Sequence, residues 1–150
     1  MSDGSSGASR YLITWVRLWY GAHLLYSGIR FYVTGVQPVP HPIAGAFLAS
    51  LNATGIYPLI KTIEVVTGAM LFFNIMVPLA LVIEVPISVT IFILNFFVVA
   101  SERQLVSGPL EIIVNGILLA FYARYYLPLL TPIAPARPIW TATAADVRAP

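Results

Sequence analysis

The chain has 150 residues, of which 59% are hydrophobic and only 9% carry a charge. Soluble domains carry roughly a quarter charged residues, so this composition argues against a soluble fold. The formal net charge is +2 and the eight Lys and Arg residues are scattered, which excludes a basic run that could follow nucleic-acid phosphates. The lack of cysteine excludes disulfides, thiolate metal sites and the cysteine pair that four-helix membrane enzymes coupling thiols to quinones require.

The N-terminal third predicts a polar tail followed by one membrane-spanning helix. Residues 1–10 are small and polar, and such a segment alone in water would be disordered. Residues 11–33 are mostly apolar but include Arg17, His23 and Arg30. At about 1.5 Å per residue this stretch is long enough to cross a hydrocarbon core of ~30 Å, so it is the first predicted span.

A connector with an interfacial segment is predicted over residues 34–55. Its prolines at 38, 40 and 42 rule out a regular helix there, because proline removes a backbone donor and clashes with the preceding turn. The next stretch, residues 44–55, is apolar but too short to span a bilayer. We expect it to form a short interfacial helix or a cap over the mouth of a helix bundle.

Two further spans form a predicted hairpin over residues 58–76 and 78–100. Each begins at a proline, Pro58 or Pro78, which suits the first turn of a helix. Each carries a glutamate six residues later, Glu64 and Glu84. Because a charge at mid-membrane costs about 3 kcal/mol on insertion scales, these side chains should face protein, water or a partner. Pro86 should kink or loosen the third helix.

The C-terminal part predicts a fourth span and a tail. Residues 101–108 are polar and are expected to be a connector, and residues 109–127 form an apolar segment that starts at Pro109. The tail, residues 128–150, contains five prolines. We expect it to be extended, lying along a surface or disordered.

The predicted fold class is therefore all-α: an integral membrane four-helix bundle with an interfacial segment between helices 1 and 2. Four spans place both termini and the hairpin turn on one side of the bilayer. That side carries more positive residues, which favours cytoplasmic termini in a bacterial inner membrane or an equivalent one.

One polar stripe on each span predicts a polar seam inside the bundle. At 100° per residue, His23 and Arg30 share one face of the first helix, and Lys61 and Glu64 are neighbours on the second. The candidate binding residues lie in the outer half, where they could hold a quinone head group or form structural ion pairs. They are Arg30, Lys61, Glu64, Asn95, Glu111 and Asn115, with His23 as a weaker candidate because haem ligation needs a second buried histidine.

Several of these residues have a purely structural alternative. Glu111 follows Pro109 closely and could stabilise a helix N-terminus. Lys61 and Glu64 could form an ion pair that fixes helix packing. Arg17 and Arg124 lie off the stripes and are expected to extend to the inner head groups, whereas Glu84 would be protonated, paired with Arg17 or hydrated. No catalytic residue and no metal site is predicted, since no zinc, nucleophile-elbow or dinucleotide pattern is present.

The membrane part of the chain resembles DoxX-like membrane proteins. The resemblance rests on Ser27-Gly28-Ile29-Arg30, on Leu59-Ile60-Lys61 with Glu64 and Gly68, and on Pro78-Leu79-Ala80-Leu81, and it covers residues 11–127. It implies a four-helix membrane bundle associated with quinone-linked or detoxifying redox complexes, among them small subunits of a thiosulfate:quinone oxidoreductase. It carries over no catalytic residue, because the matched positions could be purely structural.

Two functions are therefore expected. The first is a non-catalytic accessory membrane subunit of a larger redox complex, respiratory or photosynthetic, with other subunits and the lipid bilayer as partners. The second is a quinone- or lipid-binding subunit of a DoxX/DoxD-type quinone-linked oxidoreductase. A small independent transporter is a weaker reading, since four spans without clear repeats leave little room for alternating access.

Overall fold

The computed structural model describes residues 3–36, 39 and 41–127, and all regular secondary structure in these residues is helical. The predicted tail at residues 128–150 and the connector prolines at 38 and 40 lie outside the described residues. Five α-helices are present in the described part of the chain. They are α1 (Asp3–Thr34), α2 (Pro42–Ala53), α3 (Ile56–Phe72), α4 (Val77–Ile93) and α5 (Glu102–Phe121).

Helix α1 is longer than the first predicted span because it already begins at Asp3. The small polar residues before Tyr11 were expected to be a tail. A segment attached to an existing helix needs only propagation, which adds one hydrogen bond per residue, whereas a free peptide must first form a costly nucleus. The apolar span therefore extends its helix into sequence that would not be helical alone.

Helix α2 is the short helix predicted in the connector, and it meets α3 at an angle of 85°. His41 is its N-cap: the imidazole Nδ1 accepts a hydrogen bond from the backbone N–H of Ala44 at 3.3 Å, and Pro42 occupies the first helical position. Gly55, in the left-handed region at φ 78°, turns the chain into α3. His41 is therefore a capping residue.

The predicted hairpin is formed by α3 and α4, which pack against each other after a tight turn at residues 73–76. Asn74 and Met76 adopt positive φ values of 60° and 46° there. The backbone N–H of Ile75 donates to the carbonyl of Met70 at 2.8 Å, so the turn closes onto the end of α3. A connection this short leaves α4 no course except to return alongside α3.

The end of α4 and the start of α5 differ from the prediction. Beyond Pro86, α4 continues into a π-helical segment, Leu94–Val99, that ends at Ala100 with a positive φ of 47°. Helix α5 begins at Glu102 and contains Pro109, so the expected connector at residues 101–108 is helical. Its polar residues do not mark a loop, because Arg103, Gln104 and Ser107 face a polar cavity described below.

The helices pack in a ring in which α1 contacts α3, α3 contacts α4, α4 contacts α5 and α5 contacts α1. Helices α1 and α3 approach each other closely at Gly21 and Gly68. A methyl group at Gly68 would lie 2.8 Å from the backbone nitrogen of Leu25 and 2.9 Å from the carbonyl oxygen of Gly21. Small residues permit this backbone contact, which is a common way for helices to associate in a membrane.

The apolar core lies near the hairpin turn, where the end of α3 and the start of α4 meet α1 and α5. Its buried members are Tyr20, Leu24, Leu71, Val77, Ala80, Leu81, Val114 and Leu118. The opposite end of the helices, where α2 and the π-helical segment lie, contributes no residue to this core. The polar site described next occupies that end.

Two stretches of the described chain are long and apolar enough to cross a membrane: Val77–Val99 and Glu102–Phe121. A third is added if the bent pair Pro42–Ala53 and Ile56–Phe72 is counted as one span. Helix α3 alone has 17 residues, about 26 Å at 1.5 Å per residue. Four spans are predicted from the sequence. Two or three stretches of the described chain are long and apolar enough to be spans.

Candidate functional site

A polar cavity of about 690 Å³ lies between α1, α5 and the second half of the α4 segment, at the end of the helices away from the hairpin turn. Most of the sequence-predicted binding residues line it: His23, Arg30, Glu64, Asn95 and Glu111. Ser27, which lies on the same predicted polar stripe as His23 and Arg30, lines it too. The candidate site predicted from the sequence does not include the other polar lining residues, which are Ser101, Arg103, Gln104 and Ser107.

Lys61 and Glu64 form an ion pair at the edge of this cavity. The Lys61 ammonium donates to both carboxylate oxygens of Glu64 at 2.8 Å and to the hydroxyl of Ser27 at 2.9 Å. The two side chains are only 11% and 2% exposed. All three ammonium protons therefore have acceptors, and the pair joins α3 to α1.

Glu111 and His23 bring α5 and α1 together. His23 Nε2 lies 3.3 Å from Glu111 Oε2, and the imidazole stacks on Trp19 with ring centroids 5.7 Å apart. Glu111 is the tenth residue of α5, so the prediction that it stabilises a helix N-terminus is wrong. The reason is that the helix begins at Glu102, which takes the place of an acidic residue in the first turn.

Arg30 and Arg103 are the two charged residues of the cavity without a carboxylate partner. Among the described residues, ion pairs within 4.0 Å are formed only by Lys61 with Glu64 and by His23 with Glu111. Both arginines also line a smaller adjoining cavity of about 220 Å³, together with Lys61 and Tyr57. This end of the molecule therefore carries excess positive charge around a space.

Asn115, by contrast, does not line the cavity and belongs to a buried polar layer between it and the apolar core. The Asn115 amide donates to Ser88 Oγ at 3.0 Å, and the Ser88 hydroxyl is 3.2 Å from the Tyr20 hydroxyl. The Thr67 hydroxyl donates to Glu84 in the same region. These five side chains come from α1, α3, α4 and α5, so the layer links all four helices.

The structure corrects two expectations at this depth. Arg17 was expected to extend to the head groups, but it is buried and its guanidinium donates to the carbonyl of Leu71 at the end of α3. The alternative that Arg17 pairs with Glu84 is therefore not observed. Leu71 lies in the last turn of α3, where backbone carbonyls lack the helical i+4 donor and carry partial negative charge, so its carbonyl is a good acceptor for a guanidinium.

An apolar groove of about 420 Å³ adjoins the polar cavity where α2 crosses α3 and α4. Its apolar lining is Phe47, Leu48, Leu51, Ile60, Pro86, Ile87, Ile91 and Leu94. Glu64, Ile91 and Asn95 line both the groove and the polar cavity. A polar space and an apolar space thus share one wall.

The cavity could have been found more completely from sequence. Arg103, Ser107 and Glu111 are spaced i, i+4 and i+8 and so share a helix face. These three residues share a face only if the helix begins as early as Glu102. The polar composition of residues 101–108 instead predicts a connector. No sequence signal places the π-helical turn that contains Asn95.

Four of the residues on which the sequence resemblance rests lie at the contact between α1 and α3. A methyl group at Gly28 would lie 2.7 Å from the carbonyl oxygen of Lys61. Ser27 accepts the hydrogen bond from Lys61, and Gly68 contacts the backbone of α1. Ser27, Gly28, Lys61 and Gly68 therefore belong to one packing surface between α1 and α3.

Comparisons with known proteins find no similar one: no family model, no curated protein and no solved structure matches the chain. Within the described residues, no group of three or more His, Cys, Asp or Glu side chains is arranged to hold a metal ion. A hypothesis about the function of the chain therefore rests on the cavity, its charges and the adjoining groove.

Proposed function

We propose that the chain is an integral membrane protein whose helices α1, α3, α4 and α5 form a four-helix bundle, with α2 at the membrane interface. The closed ring of helix contacts and the two long apolar stretches support this arrangement. Large apolar side chains on the outside of the ring, such as Val66, Ile83 and Ile113, would face lipid. The cavity would open at the end of the bundle opposite Asp3 and Phe121. The positive-inside rule favours the cytoplasm for the side on which α1 begins and α5 ends.

We propose further that the bundle binds a lipid-like molecule with a polar head and an apolar tail. The observation that carries this function is the shared wall of Glu64, Ile91 and Asn95 between the polar cavity and the apolar groove. Ligand sites are typically concave, largely apolar and supplied with a few placed polar groups. A head group would occupy the cavity while its tail lies in the groove under α2.

A membrane quinone is one class of molecule that this site would accept. Its carbonyl oxygens accept hydrogen bonds and donate none, and the Asn95 amide and the Arg30 and Arg103 guanidinium groups are donors. The chemistry of electron transfer would be the quinone's own, and the protein would bind and orient it.

Membership of the DoxX-like family and service as an accessory subunit of a larger redox complex stay predictions. The packing surface formed by Ser27, Gly28, Lys61 and Gly68 supports the first, because it joins four of the positions on which the resemblance rests. Gentle extraction from the native membrane would test the second: co-purification with a redox-active complex supports it, and a solitary chain contradicts it.

A larger side chain at the junction between the polar cavity and the apolar groove tests the binding function, because it would block the passage between the two spaces. We expect a short-tailed quinone such as decylubiquinone, and a bilayer phospholipid, to raise the Tm of the purified protein. A ligand at one hundred times its Kd adds about 2.7 kcal/mol of stability. Ile91→Trp places a bulky side chain at the shared wall and should abolish this rise.

Ile113→Trp is the matched control, because Ile113 is exposed on the outer face of α5 and touches neither space. It should leave the ligand-induced rise in Tm unchanged. A wild-type Tm that responds to neither ligand, or an equal response in Ile91→Trp, would contradict binding at this site.

A further inference from the structure

The side chains around the cavity carry more positive than negative charge. Glu64 is paired to Lys61 by two hydrogen bonds of 2.8 Å, so their charges offset each other. Glu111 has His23 at 3.3 Å. The guanidinium groups of Arg30 and Arg103 remain, and no described carboxylate lies within 4.0 Å of either. The site is net positive even when His23 is neutral.

The smaller cavity concentrates this positive charge. Its charged or ionisable lining residues are Arg30, Lys61, Arg103 and His23, together with the phenols of Tyr26 and Tyr57, and no carboxylate lines it. The Ser27 hydroxyl accepts from Lys61, which leaves its own proton available as a donor to a bound group. Guanidinium groups bind carboxylates and phosphates through paired hydrogen bonds.

From this arrangement we infer that the head group bound here is an anion, a carboxylate or a phosphate, held between Arg30 and Arg103. The inference rests on the proposed binding of a lipid-like molecule and narrows its class from any polar head to a negatively charged one. The oxygens of the anion would accept hydrogen bonds from the two guanidinium groups, which have no carboxylate partner among the described residues.

The same arrangement leaves space for an apolar tail attached to the anion. The smaller cavity and the apolar groove share Tyr57 and Lys61 as lining residues, so the two spaces adjoin beside the ion pair. An acyl chain attached to the anion can pass into the groove between α2 and α4. A free inorganic anion would use only the arginines and would gain nothing from the groove.

The experiment measures equilibrium binding to the whole protein in a nonionic detergent with three probes. Oleate and oleyl alcohol have the same chain and differ in the head group, and inorganic phosphate has the charge without the chain. We expect oleate to bind at least tenfold more tightly than oleyl alcohol, and phosphate at millimolar concentration to leave oleate binding in place.

Two variants locate the anion. Arg30→Gln and Arg103→Gln should each weaken oleate binding about tenfold, as expected for loss of a charge-assisted hydrogen bond, and leave oleyl alcohol binding unchanged. Both side chains are exposed, so the variants should keep the wild-type Tm. Arg124→Gln is the control, because Arg124 is an exposed arginine that lines a different cavity.

The possible outcomes distinguish failure of the anionic head group from failure of lipid binding as a whole. Equal affinity for oleate and oleyl alcohol would overturn the anionic head group and leave lipid binding in place, whereas no binding of either would overturn both. An equal loss in Arg124→Gln would show a general effect of surface charge and also contradict the inference. Phosphate that binds where oleate does not would show a free-anion site and overturn it as well.

Discussion

The two ends of the same four helices are built in opposite ways. Near the hairpin turn, Leu71, Leu81 and Leu118 are fully buried in an apolar core, and α1 and α3 touch through their backbones at Gly21 and Gly68. At the other end the helices surround a cavity, and the contacts across it are ion pairs and hydrogen bonds. Helices α1 and α3 pack closely at both ends, since a methyl group at Gly28 would lie 2.7 Å from the Lys61 carbonyl oxygen. What differs is the space inside the ring, which the apolar core fills at one end and the cavity occupies at the other.

A buried polar layer separates the two ends. Tyr20, Ser88 and Asn115 form a hydrogen-bonded group in it, and every one of them is at most 2% exposed. The polar stripes therefore do not form one continuous seam. The part near the core is joined by internal hydrogen bonds, although Glu84 Oε2 and Asn115 Oδ1 have no hydrogen-bond partner among the described residues, and the part near α2 borders open volume.

The largest expected effect comes from breaking the ion pair at the cavity. Lys61→Met leaves the Glu64 carboxylate buried without its cation, and removing one partner of a buried pair typically costs about 3–5 kcal/mol. Glu64→Gln strands the ammonium in the same way. Each change should lower the Tm of the purified protein markedly, measured by thermal unfolding in detergent.

The double variant Lys61→Met/Glu64→Gln shows whether the two residues act as a pair. It should recover part of the loss, since neither charge is then left alone. Glu102→Gln removes an exposed carboxylate at the start of α5 and serves as the control, with a small effect expected. Additive losses in the double variant would show that the pair is not coupled.

A smaller loss is expected from crowding the tightly packed end. Gly68→Ala places a methyl group 2.8 Å from the Leu25 backbone nitrogen, and overpacking of this kind costs about 1–3 kcal/mol. Gly116→Ala is the matched control, because a methyl group at Gly116 would meet no atom within 4 Å. Equal Tm values for the two variants would contradict the close approach of α1 and α3.

The smallest effect is expected in the polar layer. Tyr20→Phe removes the hydroxyl that lies 3.2 Å from Ser88, which keeps its hydrogen bond from Asn115. A single internal hydrogen bond contributes about 0.5–1.5 kcal/mol net. Tyr26→Phe, at an exposed position on the same helix, should be neutral in the same unfolding measurement. A Tyr20→Phe protein as stable as wild type would show that this contact contributes nothing.

Most of the helical order could be predicted from the chain itself. Long apolar stretches, Pro58 and Pro78 near helix starts, and the short turn between them specify the α3–α4 hairpin, because these are local constraints on backbone geometry. The stripe of His23 and Arg30 and the spacing of Lys61 and Glu64 placed most of the candidate site. Composition does not predict the start of α5 at Glu102, because the polar residues 101–108 favour a connector.

Composition and the helical period predict the all-helical character of the described residues, the order of the helices and the faces on which the charges lie. Which charged side chains contact one another depends on how the helices pack. Arg17 binds a backbone carbonyl, Asn115 joins the buried layer, and Arg103 reaches the cavity. The reason is physical: a polar side chain inside the ring takes whichever partner the neighbouring helix brings within reach, and that depends on helix rotation and depth, which no single segment encodes.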